Sequence, residues 1–399
     1  MVADIDRGEA VSMMEPLLIS STSKHYGPLA DLAVELSEKS MGLKRSLPPP
    51  IVAALSDLVR AMNCYYSNLI EGHDTHPVDI ERALNEDYSA DPDKRDLQLE
   101  ARAHIQVQKW IDEGGLSGRA LTAGGVLETH ERFCALLPDD LLWVEYPETG
   151  ERVQVVPGEY RLRDVQVGRH IAISPGAVPN FMTRFEAGFA ARGRVDAIMS
   201  SATAHHRLLW VHPFLDGNGR VARLMSYAVL HDAMETGGLW SIARGLARNV
   251  KAYKGHLAAC DLPRRNDLDG RGNLSEEELA KFVFFFLQTC IDQVDFMESL
   301  MQPGRLRDRI RIWAEEEIRA DALPPKSTQV LDALLYRGEI ERGELAELLN
   351  VTPRHARRVS SALLEKGVLT SAGVRAPLRL AFPAALAGRW MPGLFPEQL

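Results

Sequence analysis

Apolar residues return every three or four positions along Ile51, Leu55, Leu58, Val59, Met62, Tyr65, Tyr66, Leu69 and Ile70. The run Pro48-Pro49-Pro50 precedes them and Gly72 follows. This spacing predicts one helix over about 50–71, with proline in its first turn and a left-handed glycine cap. The same periodicity predicts helices over about 96–112, 121–137, 178–189, 195–209, 220–234, 237–260 and 275–300. Residues 1–46 are polar with scattered apolar positions and predict no element. Between 152 and 174 the period changes to two: Val153, Val155, Val165, Val167, Ile171 and Ile173 alternate with polar residues around Gly158 and Gly168. That stretch predicts a β-hairpin set into a helical protein.

Pro303-Gly304 and Leu323-Pro324-Pro325 bracket a charged helical connector. Beyond it the pattern predicts short helices over 327–336, 342–349 and 352–366, then two strands between 368 and 380. Thr352 suits the N-cap of the third helix and Pro353 its first position. Three short helices followed by a hairpin make a winged helix-turn-helix. The expected fold class is therefore mainly α, a helical core with a β-hairpin flap plus a C-terminal winged helix-turn-helix. Its expected parts are an N-terminal helical region at 1–115, a core at 116–302, the connector at 303–325 and the winged module at 326–399.

Length adds a bound: 399 residues, 45% of them hydrophobic, hold two or three units at roughly 150 residues per domain. The first residues carry Asp4, Asp6 and Glu9 and no apolar core of a signal peptide, and no run reaches the ~18 apolar residues of a membrane span. The expected location is cytoplasmic, with no membrane partner. Cys64, Cys134, Cys260 and Cys290 stand far apart without metal spacing and read as reduced, mostly buried thiols. The net charge of −9 argues against bulk binding to nucleic acid. Residues 326–390 nevertheless hold ten Lys and Arg against six Asp and Glu, so this segment is +4.

The chemistry gathers at His212-Pro-Phe-Leu-Asp216-Gly-Asn-Gly-Arg220, between two predicted helices. Gly217 and Gly219 let the backbone approach a ligand, and the free N–H groups of the helix start form an anion nest. Arg220 and Arg223 lie three apart on one face, so both guanidinium groups can reach one polyphosphate. Asp216 is a suitable oxygen ligand for Mg2+ shared with phosphate oxygens. His212 is the only imidazole in the loop and can take a proton from an attacking hydroxyl, with Pro213 and Phe214 holding its backbone.

The segment resembles the signature of the Fic (Fic/Doc) family: His, any, Phe, any, Asp or Glu, Gly, Asn, Gly, Arg, two any, Arg. His212, Phe214, Asp216, Gly217, Asn218, Gly219, Arg220 and Arg223 fill every fixed place. Pro157-Gly158-Glu-Tyr160-Arg161 and the hairpin after it resemble the family's flap region. The resemblance implies a protein adenylyltransferase that moves AMP from ATP to a protein hydroxyl. It makes His212 the base, Asp216 the metal ligand, Asn218 an α-phosphate anchor, and Arg220 with Arg223 the β- and γ-phosphate clamps. Relatives that transfer phosphate carry Lys at the place of Gly219, so Gly219 implies AMP transfer. The flap hairpin, bounded by Leu162 and Ser174, is where the resemblance puts the protein substrate, adding as a strand. Tyr253 falls on the later helix that borders the adenine pocket in relatives.

Ser67-Asn-Leu-Ile-Glu71-Gly72 is similar to the family's inhibitory pattern of Ser or Thr, three residues, then Glu with Gly or Asn. The resemblance implies that Glu71 pairs with Arg223, fills the γ-phosphate site and restrains transfer. It also implies a role for Glu71 in removing AMP. Read without the family, Glu71 is the polar end of a glycine-capped helix.

The loop from Asp267 to Glu278 nearly spells a calcium-binding EF-hand, but Arg271 occupies a ligand position. The plainer reading is a polar turn in which Ser275 caps the next helix and Glu278 completes a capping box. His205 and His206 read as structural. Arg354, His355, Arg357 and Arg358 cluster on the third C-terminal helix and suit DNA phosphates. They support an alternative function, a winged-helix DNA-binding regulator whose core senses nucleotide. Self-modification and assembly into a homo-oligomer stay open.

Overall fold

Pro49 and Pro50 open a helix, Pro49–Glu71, because proline's fixed φ suits the first turn and its missing N–H is not needed there. Gly72 closes it in the left-handed region at φ 95°, with its N–H on the carbonyls of Asn68 and Leu69. A computed structural model describes residues 6–146, 149–190 and 193–395. Around this helix the described chain is 62% helix and 5% strand, so helix packing forms the core and the sheets are accessory.

Helices at Pro92–Asp112, Ala123–Cys134, Val178–Phe189, Arg194–Val211, Asn218–Met234 and Glu276–Met301 follow the periodicity closely. A further helix, Tyr26–Arg45, stands where no element is predicted. Its buried positions Leu29, Ala33, Leu36, Ser40 and Leu43 do repeat helically, but small residues thin the apolar stripe. The short helix Pro77–Leu84 is likewise unpredicted. The single helix expected over 237–260 is two, Ile242–Arg248 and Val250–Cys260, joined at Asn249 with φ −118°. Ser241 caps the first of them by accepting from the Ala243 N–H.

The hairpin expected over 152–174 is also divided. Trp143–Glu145 pairs with Arg152–Gln154, and Gln166–Val167 pairs with His170–Ile171, in two separate antiparallel ladders. The turn at Pro157 and Gly158, where Gly158 has φ 74°, separates them. Only the second ladder lies within the segment from Leu162 to Ser174.

The C-terminal elements run Ser327–Arg337, Leu345–Leu349 and Pro353–Glu365, then Leu369–Thr370 and Leu378–Leu380. A third strand, Glu339–Ile340, pairs with Leu378–Leu380, so the last strand is central. Thr352 caps Pro353–Glu365 by accepting from the His355 N–H at 3.3 Å.

This module rests on the back of Pro49–Glu71. The Tyr66 hydroxyl donates to the Leu394 carbonyl at 3.1 Å, and the Phe395 ring meets Tyr65 edge-on at 5.8 Å. Gly338 lies so close to Pro50 that an added Cβ would come within 2.9 Å of its ring. The connector helix Pro303–Arg319 buries Leu306, Ile310 and Trp313, and Trp313 packs edge-on against Trp390 at 5.2 Å. One apolar cluster runs from Leu29 and Leu55 through Phe286 to Val359 and Trp390. A second cluster holds Phe133, Phe181, Phe185 and Phe214, and the signature loop lies where the two meet.

Because the C-terminal module shares its core with the rest, cutting the chain after residue 325 should lower the unfolding temperature of the remainder and raise its binding of an apolar dye. Trp390, 1% exposed, is the point probe: Trp390→Ala should cost about 3–5 kcal/mol in denaturant unfolding.

Candidate functional site

Arg194–Val211 and Asn218–Met234 pack along each other, and the loop between them carries the signature. His212 ends the first helix at φ 52° and ψ 60°, a left-handed conformation that costs a non-glycine residue about 1–2 kcal/mol. Gly217 turns into the second helix at φ 81°. Asn218 braces the loop from within, its amide donating to the Phe214 carbonyl at 2.9 Å while its oxygen accepts from the Phe214 N–H at 3.0 Å. Phe214 is fully buried against His130, the two rings stacked at 3.8 Å.

The His212 tautomer follows from its partner. Nδ1 lies 3.3 Å from the Leu209 carbonyl, which can only accept, so Nδ1 carries the proton and Nε2 keeps a free lone pair. Burial pushes this imidazole down to about 4, which leaves it neutral at pH 7. A neutral imidazole with an open Nε2 can accept a proton. Asp216 stands exposed at the tip of the loop. Among the described residues no three His, Cys, Asp or Glu gather to hold a metal. The protein thus offers one carboxylate, an oxygen ligand that Mg2+ accepts when phosphates and water complete its shell.

Arg223 is 3% exposed and is held by the Pro49–Glu71 helix. Its Nε donates to Ser67 Oγ at 2.8 Å, and one terminal nitrogen donates to the Ser67 carbonyl at 3.2 Å and to Glu71 Oε1 at 2.5 Å. Burial raises the Glu71 pKa, but the Arg223 charge and hydrogen bond outweigh it and hold the carboxyl below its usual range. Glu71 Oε1 also presses on the nest: a Cβ on Gly219 would come within 2.3 Å of it. The carboxylate therefore occupies the space that the missing side chain of Gly219 leaves open.

Arg220 has a carboxylate of its own. It donates to Glu100 Oε2 at 3.1 Å, and His73 Nδ1 shares the same oxygen at 2.8 Å. The hydrogen bond that His73 donates to the Glu100 carboxylate raises the His73 pKa. Burial pushes Glu100 upward, while His73 and Arg220 bring it below its usual value. Arg220 Nε is buried and has no hydrogen-bond partner. Glu100 and His73 were not legible in the sequence. No motif marks Glu100, and its pairing with Arg220 spans 120 residues.

Tyr253 lies beneath this layer rather than at its mouth. It is 2% exposed, and its hydroxyl meets His205 Nε2 at 2.6 Å. His205 Nδ1 meets Ser226 Oγ at 2.9 Å, and Ser226 donates to the Ala222 carbonyl. Its own proton spent there, Ser226 accepts from His205, and His205 Nε2 accepts from Tyr253. His206 is also buried, with Nε2 on Asp261 and the Leu257 carbonyl at 3.1 Å each.

The Fic/DOC family model matches residues 121–230, which include the whole signature. Residues 121–230 are a Fic/DOC-family domain. Protein adenylyltransferase Fic of Drosophila willistoni is 27% identical over 212 residues, covering 50% of this chain and 40% of that protein. Its counterpart in Drosophila mojavensis is 28% identical and covered over 39% of its length. The chain thus spans well under two thirds of these curated relatives. The crystal structure of a Fic family protein from Desulfovibrio desulfuricans matches 91% of this chain and 98% of its own, with a TM-score of 0.53 at 17% identity, a likeness of fold.

Outside the Fic/DOC domain the loop from Asp267 to Glu278 is tied to itself. Asp269 accepts from Ser275 Oγ at 2.8 Å and the Glu277 N–H at 2.9 Å, and Ser275 caps the next helix by accepting from the Glu278 N–H at 3.1 Å. Ser275 caps the helix as expected, but its own N–H donates to the Leu262 carbonyl and Glu278 pairs with Lys281, so the expected capping box is not completed. Cys64, Cys134, Cys260 and Cys290 are free and buried, as expected. No helix among the described residues is long and apolar enough to cross a membrane.

Burial lowers six histidines together: His104 and His205 to about 3, His130, His206 and His212 to about 4, and His256 downward as well. An unfolded histidine titrates at ~6.5, so below that pH the unfolded chain binds protons that the folded chain refuses. Stability should fall as pH drops from about 6.5 toward 4, with His73 and Asp96, whose pKa values are raised, opposing the trend. Unfolding temperatures measured from pH 7.5 to 5 should decline steeply, with net proton uptake on unfolding.

Proposed function

We propose that this chain is a protein adenylyltransferase that moves AMP from ATP to a hydroxyl of a protein and is restrained by Glu71. The observation that carries the proposal is that a carboxylate, Glu71, already occupies the nest at Gly219 and holds Arg223. A site that binds one oxyanion through a buried guanidinium and a backbone nest is built to bind others.

In the released state Arg223 and Arg220 clamp the polyphosphate, with Arg220 presenting its unpartnered Nε. His212 Nε2 takes the proton of the incoming hydroxyl, whose oxygen bonds to the α-phosphorus. The bond from that phosphorus to the bridging oxygen breaks, and diphosphate leaves. Asp216 would hold Mg2+ together with phosphate oxygens, and the ion would supply charge neutralisation there. The target segment adds to the Gln166–Val167 and His170–Ile171 hairpin, where Val167 and Ile171 are 51% and 71% exposed. Self-modification and removal of AMP with Glu71 orienting a water belong to the same reading.

Glu71→Gly should raise labelling of protein by α-labelled ATP many-fold over wild type. Adding Arg223→Ala should lose most of that gain, because a glutamate that works by sequestering an arginine is irrelevant once the arginine is gone. Adding His212→Ala instead should lower the rate ~10²–10⁴-fold with little change in ATP affinity. Absence of label from Glu71→Gly with Mg2+ or Mn2+ would overturn the proposal.

A second reading, a DNA-binding regulator whose core senses nucleotide, is favoured by one feature: Arg354, Arg357 and Arg358 all face solvent on Pro353–Glu365. Should it hold, duplex DNA retention in a gel shift will weaken steeply with salt, since phosphate contacts release counterions. No retention at low salt would leave the module a protein-docking one.

A further inference from the structure

Arg161 is 3% exposed, and its side-chain hydrogen bonds go to backbone oxygens. Its guanidinium is spread over three backbone carbonyls. Nε donates to His212 O at 2.8 Å, one terminal nitrogen to Arg163 O at 2.8 Å and the other to Ile173 O at 2.5 Å. The Arg161 N–H donates to Pro213 O at 2.9 Å. Burial pushes the guanidinium down to about 10, so it stays charged at neutral pH.

The three acceptors are informative. Arg163 and Ile173 stand at the two feet of the flap hairpin, on either side of the Gln166–Val167 and His170–Ile171 ladder. His212 is the base of the proposed reaction, held in a strained left-handed conformation. One planar, rigid cation thus ties both legs of the hairpin to the carbonyl of His212, a task that suits the fixed fork of arginine. A second tie runs alongside: His170 Nε2 donates to Trp210 O at 2.8 Å. Carbonyls 210, 212 and 213 are all held from the flap side.

We propose that Arg161 is a positioning residue that fixes the distance between the flap hairpin and the His212 imidazole, so that a hydroxyl delivered by a strand on the hairpin arrives in reach of Nε2. The inference rests on the adenylyltransferase reading. Arg161 sits outside the anion nest and touches no group assigned to ATP, so its effect is on the rate of transfer and not on nucleotide affinity.

Full-length Glu71→Gly protein, with and without Arg161→Gln or Arg161→Lys, separates the possibilities. The expected result is a ~10²-fold slower single-turnover self-labelling by α-labelled ATP in the Gln variant, the size of loss that a misplacement near 1 Å produces. A fluorescent ATP analogue should bind within a few-fold of the parent. The Lys variant should be intermediate, since an ammonium reaches fewer of the three carbonyls. Amide hydrogen exchange, which needs no activity, should rise together in residues 163–173 and 210–214. Exchange that rises in the hairpin alone, a rate that stays unchanged, or an affinity loss as large as the rate loss would each overturn the proposal. Failure of both variants to fold would assign Arg161 to stability and overturn it as well. No labelling by Glu71→Gly with Arg161 intact would defeat the transferase reading, and the exchange result would still decide whether Arg161 couples the two segments.

Discussion

A guanidinium buried between helices must find an anion or a set of oxygens, and Arg223 finds both on a single neighbouring helix. Ser67 and Glu71 lie one turn apart, so a hydroxyl, a carbonyl and a carboxylate converge on the same cation. The carboxylate can come this close only because Gly219 has no side chain. The same opening at Gly219 that would admit a phosphate also admits a carboxylate from within the chain. Any arrangement that releases Glu71 leaves Arg223 buried and uncompensated, a state that strongly favours an incoming oxyanion.

The cation layer is doubled. Arg220 is held by Glu100, with His73 bridging, and His73 follows Glu71 after only Gly72. The carboxylate that holds Arg223 and the imidazole that steadies Glu100 therefore sit on either side of one left-handed glycine. Beneath the arginines lie His104 and His205, which burial and the arginine charges keep neutral. A dry, neutral floor under two cations concentrates their field on whatever anion enters from above.

The Pro49–Glu71 helix is held on two sides. Its C-terminal turn meets the signature loop, and its back carries the C-terminal module through Pro50, Tyr65 and Tyr66. Tyr66 precedes Ser67 directly, so the contact with the chain's last residues and the contact with Arg223 belong to adjacent positions. The module is joined to the helix that carries Glu71 by packing as well as by the connector.

The sequence alone determined what is written within a turn or a short loop. Proline at the start and glycine at the end delimit the helix 49–71, the spacing in the signature puts two arginines on one face, and Thr352 and Ser275 cap the helices they precede. Each depends on neighbours a few residues away, so one chain suffices to read it. The pairing of Glu71 with Arg223 was legible only through family resemblance, since nothing local joins residues 152 apart. Tertiary structure decided the rest. It selected Glu100 from many surface-like acids, sank Tyr253 beneath the arginines, and divided the expected hairpin in two. It also set Arg161 between the hairpin and His212, and seated the C-terminal module on the helix Pro49–Glu71. These choices depend on which helix faces meet and which buried charges find partners, and both are properties of packing that periodicity along a chain does not encode.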